Sequence, residues 1–296
     1  MEFPKQIVIE TTAYCTQKCT HCAHKTLQRQ KGHMEMDLYK KIVDEIAEVN
    51  KDTEVWMTYY GEALILKYRL FYMIWYAKNA GLTNVVLNSN GMLLDKEIAE
   101  MLIDSGLDRF IISMDAFTKE TYEKIRVGGN YESVVANALQ FRDLLRSRGV
   151  AAPKFEMQFS LLEENESEFE AFEKYWTDQG AYVKSRPKAS WAGRVEAKNL
   201  DPSASRVPCK WAMNNGAILW DGRLTACAVD SEGLFVAGNV KEKTISQIWN
   251  TTHSDFRKTH TEQNWSQLPD VCVNCLDWQT TKRSYKAPEK STAAGK

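Results

Sequence analysis

Cys15, Cys19 and Cys22, in "TAYCTQKCTHCAHK", set three thiols in one short loop, with three and two residues between them. Thiols this close suit a metal centre, and two kinds compete. Structural zinc sites normally close with a fourth protein ligand. The nearest candidates here are His21 and His24, and using His21 would draw two ligands from adjacent residues. A cubane iron-sulfur cluster held by three cysteines instead keeps one iron open to a small molecule, so three thiolates leave a reactive corner. Four more cysteines, Cys209, Cys227, Cys272 and Cys275, stand in the last third of the chain. The closing "CVNC" is by itself shared with zinc ribbons and redox pairs.

The elements that must position these thiols can be read from apolar spacing. Short runs suggest strands at 6–10, 54–60, 84–88, 109–114, 154–161 and 181–185, and helical periodicity between them suggests helices near 36–49, 67–80, 94–105, 131–148 and 166–178. Such alternation implies an α/β fold: a parallel sheet with helices on its outer face, curled toward a partial (β/α)6 barrel over 1–185. The reacting site of such a sheet lies at the carboxyl ends of its strands. The first cysteine loop follows strand one directly. After 186 the pattern changes: "GAILWDGRLTACAVD" is a hairpin around Asp221-Gly222, and Thr244 can cap a short helix with Ile245, Ile248 and Trp249 on one side. A small second domain is therefore expected over 186–281, with Trp191, Trp211, Trp220 and Trp249 in its core. The polar stretch 282–296 reads as a disordered tail.

Composition limits the function classes. The 296 residues are 44% hydrophobic and 26% charged, enough for one large core or a large core with a smaller one. Basic and acidic residues number 38 and 39, so no global field draws nucleic acid or an anionic membrane. No apolar run approaches a membrane span, and "MEFPKQIVIE" lacks the pattern of a secretory signal. A cytoplasmic chain is expected, in which seven cysteines serve as metal or redox ligands; an odd number could not pair completely.

The C-x3-C-x2-C loop after strand one resembles the signature of the radical S-adenosylmethionine (SAM) enzymes, and the likeness extends along nearly the whole chain. It implies that Cys15, Cys19 and Cys22 hold a [4Fe-4S] cluster whose open iron binds SAM. In "YYGEALI", Gly61 and Glu62 match a motif that meets the methionine amino group, with Tyr60 beside it; Ala63 stands where the family usually has Pro. Asn90 in "LNSNG" and Ser113 in "ISMDA" match positions near the ribose and methionine portions. Arg126 in "KIRVGG" resembles an arginine that pairs with the carboxylate, and His21 occupies the position beside adenine. The four later cysteines resemble the ligands of one auxiliary [4Fe-4S] cluster in a twitch domain, the shortened relative of the SPASM domain. "VPCKW", "DGRLTAC", "GNV" and "ISQIW" support that likeness.

The implied chemistry is reductive cleavage of SAM to a 5′-deoxyadenosyl radical, fed by a flavodoxin- or ferredoxin-type donor, followed by hydrogen abstraction from a small-molecule substrate. Three cysteines at one cluster and four at the other leave no thiol to return a hydrogen atom, as an epimerase commonly requires. A dehydrogenase needs an electron sink instead, which an auxiliary cluster can provide. The layout thus resembles the 2-deoxy-scyllo-inosamine dehydrogenases, and oxidation of a hydroxyl-bearing carbon on a carbohydrate-like molecule is expected. Two alternatives stay open. One is an epimerase or peptide-modifying enzyme of the same superfamily, the peptide reading being lowered by the five residues ahead of strand one. The other is a non-catalytic module with zinc at both sites. Arg186 and Arg194, in "SRPKASWAGR", are the candidates for holding the substrate hydroxyl.

Overall fold

The computed structural model describes residues 2–280 and 284–288. Six strands alternate with helices: β1 Gln6–Ile9, α1 Met36–Val49, β2 Glu54–Trp56, α2 Tyr68–Asn79, β3 Val85–Ser89, α3 Lys96–Asp104, β4 Arg109–Ser113, α4 Lys119–Ile125, α5 Tyr131–Arg148, β5 Lys154–Leu161, α6 Phe169–Asp178 and β6 Tyr182–Pro187. Local chemistry sets the helix limits. In α1 the buried Leu38, Tyr39, Ile42, Val43 and Ile46 recur at helical spacing, and burial of such side chains stabilises by about 1.5–3 kcal/mol each. Asp95 caps α3 by accepting from the Ile98 amide at 2.8 Å, Asn130 caps α5 by accepting from Ser133 at 2.8 Å, and Gly149 ends α5 at φ +63°.

β1 to β6 are parallel neighbours in chain order. β1 and β6 do not pair with each other among the described residues, so the sheet is open and the barrel partial, as expected. Its far side differs from the expectation of a separate hairpin. After α7 Lys210–Asn214, strand β7 Asn215–Ile218 runs parallel to β1, and β8 Arg223–Thr225 and β9 Val236–Asn239 follow antiparallel, extending the same sheet. The chain then adds α8 Ile245–Trp249, α9 Thr252–Thr261 and α10 Asp270–Val273. Thr244 caps α8 in a reciprocal capping box with Gln247, as its sequence indicated. Within the stretch expected as a disordered tail, residues 284–286 form β10, antiparallel to β6 on the other edge; 282, 283 and 289–296 lie outside the described residues. No described helix is long and apolar enough to cross a membrane.

The strand at 54–60 is shorter than its apolar run suggested, ending at Trp56 so that residues 57–62 leave the sheet as a loop. The inner face of the sheet is also more polar than the runs implied. Arg109 bridges Glu54 and Glu156 at 2.9 Å each, and the Trp56 ring lies 5.9 Å from Arg109 and 4.7 Å from Lys184. Glu156 is the fully buried member of this group, and a buried charge persists only when paired and hydrogen-bonded.

Candidate active site

Against the strands β1 to β6 and the loops that follow them lies a cavity of about 220 Å³, whose wall includes Cys15, Cys19 and Cys22. The loop carrying them is tied down by its backbone. The Lys18 and Thr20 amides donate to the Val127 and Ile125 carbonyls at 2.8 and 2.9 Å, and the Ala13 amide to Gly32 at 2.9 Å. Asn90 joins from the end of β3, its Nδ2 donating to Thr16 Oγ1 at 3.0 Å and lying 4.0 Å from the Cys15 sulfur. Burial pushes the Cys15 thiol up to about 11 and Cys22 up to about 12, so a metal centre that takes them as thiolates must displace their protons. Of the candidate fourth ligands, His24 Nε2 faces the Ala13 carbonyl at 3.0 Å and His21 Nε2 faces Asp115 Oδ2 at 3.2 Å, while the Nδ1 atom of each lies buried without a hydrogen-bond partner. Among the described residues no three His, Cys, Asp or Glu side chains gather tightly enough for a single ion.

Gly61 passes against the cysteine loop. A Cβ there would stand 2.0 Å from the Thr12 carbonyl oxygen, so only glycine fits. The same approach lets the Glu62 amide donate to the Tyr14 carbonyl at 2.8 Å. The Glu62 carboxylate is buried and accepts from the Leu64 amide at 3.0 Å, Ser89 Oγ at 2.9 Å and the Asn90 amide at 2.7 Å. Burial raises its pKa, opposed by these donors. Three bonds leave part of its acceptor capacity free in the cavity wall. Ser113 sits deeper, donating to Asn88 Oδ1 at 2.9 Å and accepting from Gln158 Nε2 at 3.0 Å.

Asp115, just past β4, organises the other side of the cavity. It is fully buried, adopts φ +58°, pairs with Arg126 and His21 and accepts from the Ser160 amide at 2.6 Å. Burial alone would raise its pKa; the Arg126 guanidinium and the His21 hydrogen bond outweigh it and hold the carboxyl well below the usual range. Burial lowers the pKa of His21 despite Asp115. Arg126, expected to face a cofactor carboxylate, thus already has a carboxylate of the chain, while still lining the cavity. Sequence reasoning passed over Asp115, although its place two residues after Ser113 in "SMDA" was a usable signal.

A second, smaller void of about 20 Å³ is lined by Cys209, Cys227, Cys272 and Cys275. Burial raises all four thiols, Cys272 to about 12. Hydrogen bonds join the two cysteine groups: Tyr59 OH donates to the Asp230 carbonyl at 2.8 Å, Tyr60 OH to Val229 at 3.3 Å, and Trp191 Nε1 to the His21 carbonyl at 2.7 Å. Tyr60 and Trp191 also meet edge to face, 5.2 Å between centroids. Trp191 and Trp211 therefore line the larger cavity and correct the expectation that they are core of a second domain; Trp249 is buried core as expected, and Trp220 lies over Gly32.

Of the two arginines in the connection, the structure brings only Arg186 to the cavity. Arg194 is outside its wall, paired with Glu232 at 3.0 Å, and Glu232 also accepts from the Gln28 and Arg29 amides. Through Glu232 it fastens the connection to the segment that follows the cysteine loop.

Two family models match this chain, "Radical SAM superfamily" over residues 9–174 and "Iron-sulfur cluster-binding domain" (SPASM) over 209–276. The S-adenosyl-L-methionine-dependent 2-deoxy-scyllo-inosamine dehydrogenase of Niallia circulans is 22% identical over 274 residues, 91% of each chain. The crystal structure of BtrN with AdoMet and 2-DOIA superposes with a TM-score of 0.63 at 20% identity, covering 93% of both chains. Streptococcus suis SuiB bound to precursor peptide SuiA gives 0.70 at 13% identity, covering 87% of this chain and 67% of SuiB. At such identities the structural likeness establishes the fold.

Proposed function

Because the chain belongs to the radical SAM superfamily and carries a SPASM-type domain, with [4Fe-4S] clusters and SAM as its cofactors, we propose that it is an oxidoreductase. In this reading it oxidises a hydroxyl-bearing carbon of a carbohydrate-like small molecule to the ketone, with the auxiliary cluster as electron acceptor. The chain's own donor set fits the cofactors: three thiols on a cavity wall, with the Nε2 atoms of His21 and His24 already engaged by Asp115 and the Ala13 carbonyl, and four thiols around a separate void. That partition, which leaves no cysteine over as a hydrogen donor, is the observation that carries the proposal.

When bound, the reduced cluster and SAM supply a 5′-deoxyadenosyl radical that takes a hydrogen atom from an unactivated C–H bond. The protein's part is to bind, orient and enclose. Cys15, Cys19 and Cys22 would hold the open cluster, and Cys209, Cys227, Cys272 and Cys275 the closed one. Glu62 has acceptor capacity for the methionine ammonium, and Gly61 lets its loop lie against the cysteine loop. Arg126, fixed by Asp115, offers its remaining donors to the carboxylate. Asn90 and Ser113 suit hydroxyl contacts, and His21 and Tyr60 give flat surfaces for adenine. The Tyr59, Tyr60 and Trp191 bonds keep the two cysteine groups in register. The 22%-identical dehydrogenase supports the reaction class. A reducing cytoplasm with a flavodoxin- or ferredoxin-type donor fits seven unpaired thiols.

The test is anaerobic turnover with SAM, reductant and a panel of polyols, amino sugars, sugar acids and sugar phosphates in deuterated water. The expected result is one 5′-deoxyadenosine per ketone formed and no solvent deuterium on carbon. Deuterium at an inverted stereocentre, or a modified peptide with no ketone, would replace the dehydrogenase reading.

A further inference from the structure

We infer that the substrate carries an acidic group, a carboxylate or a phosphate, that seats on Arg186; this rests on the reading of the larger cavity as the place where substrate reacts. Arg186 and Lys184 are two residues apart on β6, so both leave the same face of the strand, and both line the cavity. The Arg186 guanidinium is positioned from two directions: Nε donates to Ser160 Oγ at 3.1 Å, and its centre lies 5.5 Å from the centroid of the Trp191 ring. Among the described residues nothing accepts from Nη1 or Nη2, and no carboxylate comes within ion-pair distance.

Other arginines of the chain differ. Arg29 has Glu10 at 2.5 Å, Arg109 has Glu54 at 2.9 Å, Arg194 has Glu232 at 3.0 Å, and Arg126 has Asp115. Glu62 is the one carboxylate residue among those lining the described cavity, and Leu64, Ser89 and Asn90 already use it. Burial lowers the pKa of Arg186, opposed by Asp115 and reinforced by Arg126, as for a cation short of a counter-charge. A half-buried guanidinium held by its Nε side and an aromatic face presents its two Nη groups as a fork that matches two oxygens of a carboxylate or phosphate. A neutral polyol would leave that charge uncompensated.

The experiment is thermal unfolding of the reconstituted enzyme, with and without saturating SAM, titrated with inorganic phosphate or acetate against chloride at constant ionic strength. With SAM bound, at least one anion should raise Tm by about 3 °C near saturation. The rise should persist in R194Q, fall partly in R186K and vanish in R186Q. A response to phosphate alone assigns a phosphorylated substrate, and a response to acetate an acid. No shift with either anion, an equal shift in R186Q, or a shift abolished by SAM would overturn the inference; the last would give Arg186 to the cofactor's carboxylate. Should R186Q fail to reconstitute, R186K and the two wild-type arms decide. Formation of 5′-deoxyadenosine is followed separately: its absence sinks the proposed reaction, whereas the anion response reads Arg186 alone.

Discussion

Asp115→Asn separates charge from shape at the hub of the cavity. The asparagine fits the same volume, and its oxygen can still accept from the Ser160 amide, which lies 2.6 Å from Asp115 Oδ1. Its amide nitrogen, however, would face the Arg126 guanidinium, donor against donor, where a carboxylate oxygen now pairs with both Arg126 and His21. Both Asp115 and Arg126 are buried, at 0% and 6% exposure, so water cannot replace the lost partner. Breaking such a pair by removing one charge costs about 3–5 kcal/mol. For a chain of 296 residues that corresponds to a fall in Tm of about 5–8 °C. With Arg126 no longer fixed, SAM affinity should also drop at least about tenfold, equivalent to 1.4 kcal/mol. Scanning calorimetry of wild type and variant at equal iron content measures the first, and equilibrium binding of SAM the second. A variant melting within about 2 °C of wild type would refute the claim that this pair organises the site.

The same pair fixes the sign of an acid effect. The ordinary Asp value is 3.8 and the folded carboxyl lies well below it, so its contribution is complete above about pH 4 and is lost as pH falls toward the lower folded value; wild type should lose stability over that range more steeply than D115N. Gly61→Ala would set a Cβ 2.0 Å from the Thr12 oxygen and prise apart the contact between the Glu62 amide and the Tyr14 carbonyl; about 1–3 kcal/mol of stability should go, with SAM binding weakened in titration. Cys275→Ser should reduce iron from about eight to about four per chain while 5′-deoxyadenosine formation persists and ketone formation fails; full iron content would remove Cys275 from the ligand set.

Much of this site was legible along the chain because it is written in local spacing. The loop of Cys15, Cys19 and Cys22 needs only eight consecutive residues, and Gly61-Glu62 only two. Apolar periodicity likewise fixed the order of strands and helices, since alternation and helical recurrence are properties of a single segment. The helices α4, α7 and α10 escaped it, being too brief for a periodic pattern to build up, and α9 escaped it because Phe256 is its one large apolar side chain.

What the sequence by itself determined, then, was the chemistry available and the elements that carry it: which thiols group together, which strand each loop follows, where caps fall. Only the tertiary structure decided which charges meet, because those partners stand far apart in the chain. Asp115 finds Arg126 and His21, Arg194 finds Glu232, and Arg109 finds Glu54 and Glu156. The same holds for β7 adding to the open edge beside β1, where unpaired backbone groups require a neighbour that no residue type announces.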